Sequence, residues 1–223
     1  MDIMQAFLNT QPRLTTDGAV EKLTQGNKRF CSMRSYVTPD KLQGQRVKTR
    51  QSHNPFAIII SCSDSRVVPE HIFDLGIGEI VVIRIAGNII SSTEIGTLEL
   101  MLYEHDIPLI IVLGHSDCGT VQTCLETIEN GSRMQSPYIE HIQKKIIPSI
   151  RLAKERYLKE NPEHKSQSLP LQNAVKANCE HSVSNLITRS LMIKSAIEDS
   201  TLKVLSAIYN HESGEVEFNE SNQ

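Results

Sequence analysis

Two short, wholly apolar runs constrain the fold of this chain more than any other feature. They are Phe56-Ala57-Ile58-Ile59-Ile60 and Leu109-Ile110-Ile111-Val112-Leu113. Each is short for a helix and rich in β-branched residues, so each reads as a strand covered on both faces. Such strands belong to a mainly parallel sheet sandwiched between helices. Glu79 to Ile85 and Leu202 to Tyr209 read the same way, making about four parallel strands. Asn210–Gly214 looks like a hairpin turn, so residues 215–218 are expected to run antiparallel at the edge. The fold class is α/β.

Helical spacing fills the intervals. Val20, Leu23, Asn27 and Phe30 recur along residues 17–30, with Asp17 able to cap. Residues 31–55 read as a surface connection or short helix. Pro69 opens a short helix to about Leu75, and Ser92 or Thr93 caps one running to about His105. A helix follows Gly119 to about Ile128, with a loop over 130–136. Residues 137–160 are helical but kinked or broken at Pro148. A linker over 161–170 precedes one long helix over 171–199. The 223 residues suffice for a single domain over 1–223. It comprises a helical arm (about 1–50), a core (about 56–130) that carries the candidate site, and C-terminal helices and strands (about 137–218).

The segments that follow the two apolar runs carry the chemistry. The first run leads into Cys62-Ser63-Asp64-Ser65-Arg66, and the second into His115-Ser116-Asp117-Cys118-Gly119. Parallel sheets bind ligands beyond the C-terminal ends of their strands. Two thiolates and an imidazole gathered there make a zinc site with one position left over. Asp64 can fill that position or stand beside it, and Arg66 can hold its carboxylate through two hydrogen bonds. Cys31, Cys124 and Cys179 have no such context and read as core or surface thiols. Five cysteines at irregular spacing do not make a disulfide framework. A net charge of −3 gives no basic surplus for nucleic acid or acidic lipid. No apolar run approaches a membrane span. Residues 1–7 do not read as a signal peptide, so a cytoplasmic location is expected.

Cys-x-Asp-x-Arg followed by His-x-x-Cys-Gly resembles the β-class carbonic anhydrases. Leu23–Phe30, Val67-Val68-Pro69-Glu70, Arg84-Ile85-Ala86-Gly87-Asn88 and Gly114–Gly119 are similar to further blocks of that family. The likeness covers about residues 17–130 well and the rest more loosely. It implies one Zn²⁺ per chain on Cys62, His115 and Cys118. It implies that Asp64 pairs with Arg66 when the site is active and ligates zinc when it is not. The implied reaction is reversible hydration of CO₂ to bicarbonate and a proton, by attack of zinc-bound hydroxide. The implied assembly is a homodimer, a tetramer or a higher even homo-oligomer, with N-terminal helices wrapping the partner.

The resemblance also implies that the Gly119 backbone lines the substrate pocket. Gln51, often supplied by the partner in this family, completes it. The stretch Ser52-His53-Asn54 is longer than common, which makes His53 the alternative. Thr120 stands where a second glycine often follows, and Ile85 replaces a frequent asparagine. The chain has no tryptophan, so it lacks the tryptophan-dependent secondary bicarbonate site of some members. His53, His71 and His105 are proton-shuttle candidates by residue type alone. Two other readings use the same residues. One is hydrolysis of CS₂ or COS at the same zinc. The other is a non-catalytic zinc-stabilised protein with Asp64 as a permanent ligand. The Asp64–Arg66 pair argues against the latter, since a closed site needs no arginine to draw its carboxylate away.

Overall fold

The two apolar runs become the central strands of a five-stranded sheet. The structure is a computed structural model and describes residues 14–131, 136–164 and 168–219. Residues 1–13 of the expected arm, and parts of the 130–136 loop and the 161–170 linker, lie outside the described residues. The strands are β1 (Ala57–Ser61), β2 (Ile80–Arg84), β3 (Leu109–His115), β4 (Lys203–Tyr209) and β5 (Val216–Asn219), in the spatial order β2-β1-β3-β4-β5. The first four are mutually parallel and β5 is antiparallel to β4. Every residue of β1 and β3 is buried, as their unbroken apolar character demands.

Alternation along the strands divides the interior into two cores. Ile58, Ile60, Ile110 and Val112 face α4 (Ser92–Glu104), α5 (Gly119–Asn130), α6 (Pro137–Glu160), α7 (Leu171–Arg189) and α8 (Leu191–Glu198). Ala57, Ile59, Ile111 and Leu113 face α1 (Thr16–Cys31) and α3 (Pro69–Ile72). The remaining helix, α2 (Pro39–Lys48), settles the ambiguous 31–55 stretch as a short helix with no buried residue.

Several boundaries differ from the sequence expectations, each for a local reason. Thr15, not Asp17, caps α1: its hydroxyl accepts the Gly18 N–H at 3.0 Å, leaving Asp17 in the first turn. Ser91, one residue ahead of the expected caps, begins α4, and Glu94 reaches back to accept the Ser91 N–H at 2.8 Å. α6 runs through Pro148 unbroken. That proline lies on the exposed face, while buried Ile146 and Ile150 anchor both halves against the core. The long helix expected over 171–199 is two helices. Ser190 between them is extended, accepts the Ile193 N–H at 3.2 Å and donates to Glu99 at 2.6 Å. A 3₁₀ turn at Ala86–Asn88 was not anticipated.

Candidate metal centre

Strand order decides where the chemistry gathers. From β1 the chain moves outward to β2, then returns past β1 to form β3 on its other side. The C-terminal ends of β1 and β3 are therefore a topological switch point, where connections diverge and leave a crevice. Cys62 follows β1 directly, His115 is the last residue of β3, and Cys118 is the N-cap of α5.

All three side chains are buried. The two sulfurs lie 4.0 Å apart, and the ligand atoms of the trio lie within 4.8 Å of one another. His115 Nε2 is buried with no hydrogen-bond partner, a state shared among the described residues with Ser61 Oγ. Buried polar atoms are almost always bonded, so an orphan nitrogen facing two thiols marks a place for a cation. Two sulfurs and one imidazole suit Zn²⁺, and three protein ligands leave one coordination position open. The residues fit the metal.

The electrostatics agree. A hydrogen bond from Cys118 holds the Cys62 thiol below the ordinary thiol range against the effect of burial, helped by His115 and the backbone amides of Asp64 and Gly87. The same contact with Cys62, together with burial, pushes Cys118 above the ordinary thiol range. The contact therefore favours a thiolate at Cys62 beside a thiol at Cys118, and metal binding would release the thiol proton. Burial pushes Cys124 up to about 11 and Cys179 up to about 12, in keeping with protonated core thiols. Cys31 is exposed.

Asp64 stands beside the trio. It accepts from Arg66 Nε at 3.0 Å, Arg66 Nη2 at 2.8 Å and the Arg66 backbone N–H at 2.9 Å. The guanidinium holds the carboxyl well below the usual carboxylate range. Arg84, at the end of β2, donates to the carbonyls of Cys62 and Asp64 and so fixes the loop that carries both. Gly87 sits in the 3₁₀ turn at φ 65°, where Asn178 of α7 donates to its carbonyl at 2.8 Å.

Gly119 is exposed at the start of α5, with open space where a Cβ would stand. Gln51 is exposed ahead of β1, at the opposite end of that strand from Cys62. The structure does not bring it to the trio within one chain. The His53 and His105 rings meet at 4.8 Å, tilted by 53°, and share that remote edge, since His105 precedes β3. His71 is exposed on α3. Sequence reasoning missed His211. Its Nε2 lies 2.9 Å from His115 Nδ1, which also lies 2.8 Å from the Ser116 carbonyl. Burial, with the nearby charges of Arg66 and His115, keeps this imidazole below its ordinary range. The available signal was its position just beyond the C-terminal end of a parallel strand.

Comparison with known proteins points one way. A family model described as carbonic anhydrase matches residues 57–216. Carbonic anhydrase 2 of Mycobacterium tuberculosis is 30% identical over 203 residues, covering 91% of this chain and 92% of that protein. A carbonic anhydrase of Mycolicibacterium smegmatis is 29% identical over 207 residues, covering 93% and 95%. The solved structure of the β-carbonic anhydrase CcaA aligns with a TM-score of 0.69 at 27% identity, covering 92% of each chain.

Proposed function

The chain belongs to the β-class carbonic anhydrases, and from that premise we propose that it hydrates CO₂ reversibly at a zinc ion held by Cys62, His115 and Cys118. The observation that carries this reading is the state of Asp64. Three hydrogen bonds to Arg66 draw its carboxylate aside, leaving a three-donor set with room for a reactant. When bound, the metal supplies Lewis acidity that makes water a nucleophile near neutral pH.

The chain's own groups supply the rest. Asp64, kept ionised by Arg66, would accept a hydrogen bond from the reacting oxygen and so aim its lone pair at the substrate carbon, the proton itself leaving to solvent. The N-terminus of α5 at Gly119 favours the negative charge that develops on the product. Full burial of Cys62, His115 and Cys118 keeps bulk water from the ligand atoms.

The molecule works as a homo-oligomer in this reading. β2 is an edge strand, and its apolar residues Ile80, Val81, Val82 and Ile83 are each only half-buried. An edge of that character calls for a partner. Gln51, far from its own metal centre, then serves the partner's pocket. A cytoplasmic location suits the chain, because the Cys62 and Cys118 ligands must stay reduced.

Metal analysis of purified protein with stopped-flow assays of CO₂, CS₂ and COS tests the proposal. One zinc per chain is expected, with CO₂ hydration that chelation abolishes and added zinc restores. Turnover of CS₂ or COS without CO₂ hydration would replace this reading with a heterocumulene hydrolase. Stoichiometric zinc with no turnover would replace it with a structural role.

A further inference from the structure

His211 reaches the metal centre from β4, a strand that holds none of the three ligands. It lies just beyond Tyr209, which is the partner of His115 across the β3–β4 ladder. The two imidazoles meet at 4.9 Å and 66°, with His211 Nε2 2.9 Å from His115 Nδ1. His211 is itself held in place. Its backbone N–H donates to Ser116 Oγ at 2.9 Å, and its ring stands edge-on to Tyr209 at 5.2 Å and 83°. The Ser116 N–H donates to the Tyr209 carbonyl at 2.9 Å, so the ends of the two strands are tied in both directions. The hairpin turn is anchored in turn by Asn27 of α1, which donates to the Gly214 carbonyl at 2.8 Å and accepts the Val216 N–H at 2.9 Å.

A metal on His115 Nε2 leaves the ring's remaining proton on Nδ1. Two acceptors face that proton, and they differ in what they can hold. The Ser116 carbonyl belongs to the next residue and moves with the backbone of His115. His211 comes from 96 residues away and ties the ring to another strand. We propose that His211 is a positioning residue for the metal centre: its Nε2 accepts the Nδ1–H of His115, fixing the tautomer and ring plane that aim Nε2 at zinc. This rests on the reading of Cys62, His115 and Cys118 as a zinc site.

The test compares the full chain with His211→Ala, which removes the acceptor, and His211→Gln, whose amide oxygen can replace it. Zinc affinity is read by chelator competition, and coordination by the absorption bands of the Co²⁺-substituted proteins. Melting of the metal-free proteins reads the fold separately. Loss of such outer hydrogen bonds weakens metal binding by about 10- to 100-fold. With the Ser116 carbonyl still present, His211→Ala is expected near the lower bound, about tenfold weaker. Its Co²⁺ bands shift, its metal-free melting is unchanged, and His211→Gln restores affinity and bands. Unchanged affinity and bands in His211→Ala would overturn the proposal. So would an equal loss of metal-free stability in both variants with no rescue by glutamine, which marks a packing role. Two tight Co²⁺ ions per wild-type chain would make His211 a ligand and overturn it as well. Failure of the wild-type chain to bind zinc would remove the zinc reading itself, and this proposal with it.

Discussion

Arg66 is more than half exposed, yet it decides what Asp64 can do. Substituting Arg66→Ala frees the carboxylate to take the open metal position. Zinc content should persist while CO₂ hydration falls about 10- to 100-fold. A crystal structure of the zinc-loaded variant should then show an Asp64 oxygen on the metal in place of solvent, and water still in that position would refute the displacement. Arg66 also sets the pH behaviour. It lowers the Asp64 pKa, so that carboxylate is ionised throughout the neutral range and adds no titration there. The rate between pH about 7 and 8.5 therefore follows the nucleophile, whose acidity two thiolates reduce relative to three imidazoles. Hydration should climb across that interval, and a flat profile of initial rates would contradict this. Cys62, Asp64, Arg66, His115 and Cys118 were legible because each sits within a few residues of a strand end that hydrophobicity alone locates. His211, Arg84 and Asn178 were not. Their partners lie on other strands and turns, and only the folded ladder brings them together.

Strands were readable from their burial, whereas helix ends depended on partners outside the helix. The break at Ser190 needs Glu99 of α4 to receive its hydroxyl, a contact no local pattern encodes. The connection between α1 and α2 depends similarly on Asp74. This buried carboxylate accepts from Ser35 Oγ at 2.6 Å, the Tyr36 N–H at 2.8 Å, the Val37 N–H at 3.1 Å and Arg29 Nε at 2.6 Å. Burial alone would raise its pKa, but these bonds outweigh burial and lower it. Asp74→Ala removes the carboxylate that receives two amides, the Ser35 hydroxyl and Arg29 Nε. Because Arg29 is partly exposed, the expected loss is about 2–3 kcal/mol, below that of a fully buried pair. Stabilisation by a depressed carboxylate is complete above its unfolded pKa of about 3.9 and fades as pH falls through the folded value. Urea unfolding should thus separate wild type from Asp74→Ala fully at neutral pH and progressively less in strong acid. An equal gap at both extremes would refute the assignment. α1 also packs tightly at Gly26, where an added Cβ would sit 1.8 Å from the Phe73 carbonyl oxygen. Gly26→Ala should lower stability by about 1–3 kcal/mol through forced separation of α1 from α3. An unchanged urea midpoint would show that the helices part without cost.

Fold class follows from the alternation of strands and helices, but assembly is hidden from the same pattern. In sequence β2 is as apolar as β1 and β3, and only the folded sheet exposes it as a half-covered edge. That surplus hydrophobicity and the position of Gln51 lead to one joint prediction. β1 alone spans about 16 Å, so a glutamine ahead of it cannot reach a metal centre beyond it in the same chain. In a symmetric dimer each pocket would combine Cys62, His115 and Cys118 of one chain with Gln51 of the other. Gln51→Ala should then bind zinc normally but hydrate CO₂ poorly, and Cys62→Ser should lose the metal while keeping Gln51 intact. Mixing the two after reversible dissociation pairs half of the chains unlike. Each unlike pair rebuilds one complete pocket, so about a quarter of the wild-type rate should return with random pairing. Native mass spectrometry with one variant isotopically labelled confirms that the unlike pairs have formed. Recovery no greater than the sum of the separate variants, with mixed dimers present, would place Gln51 outside the partner's pocket.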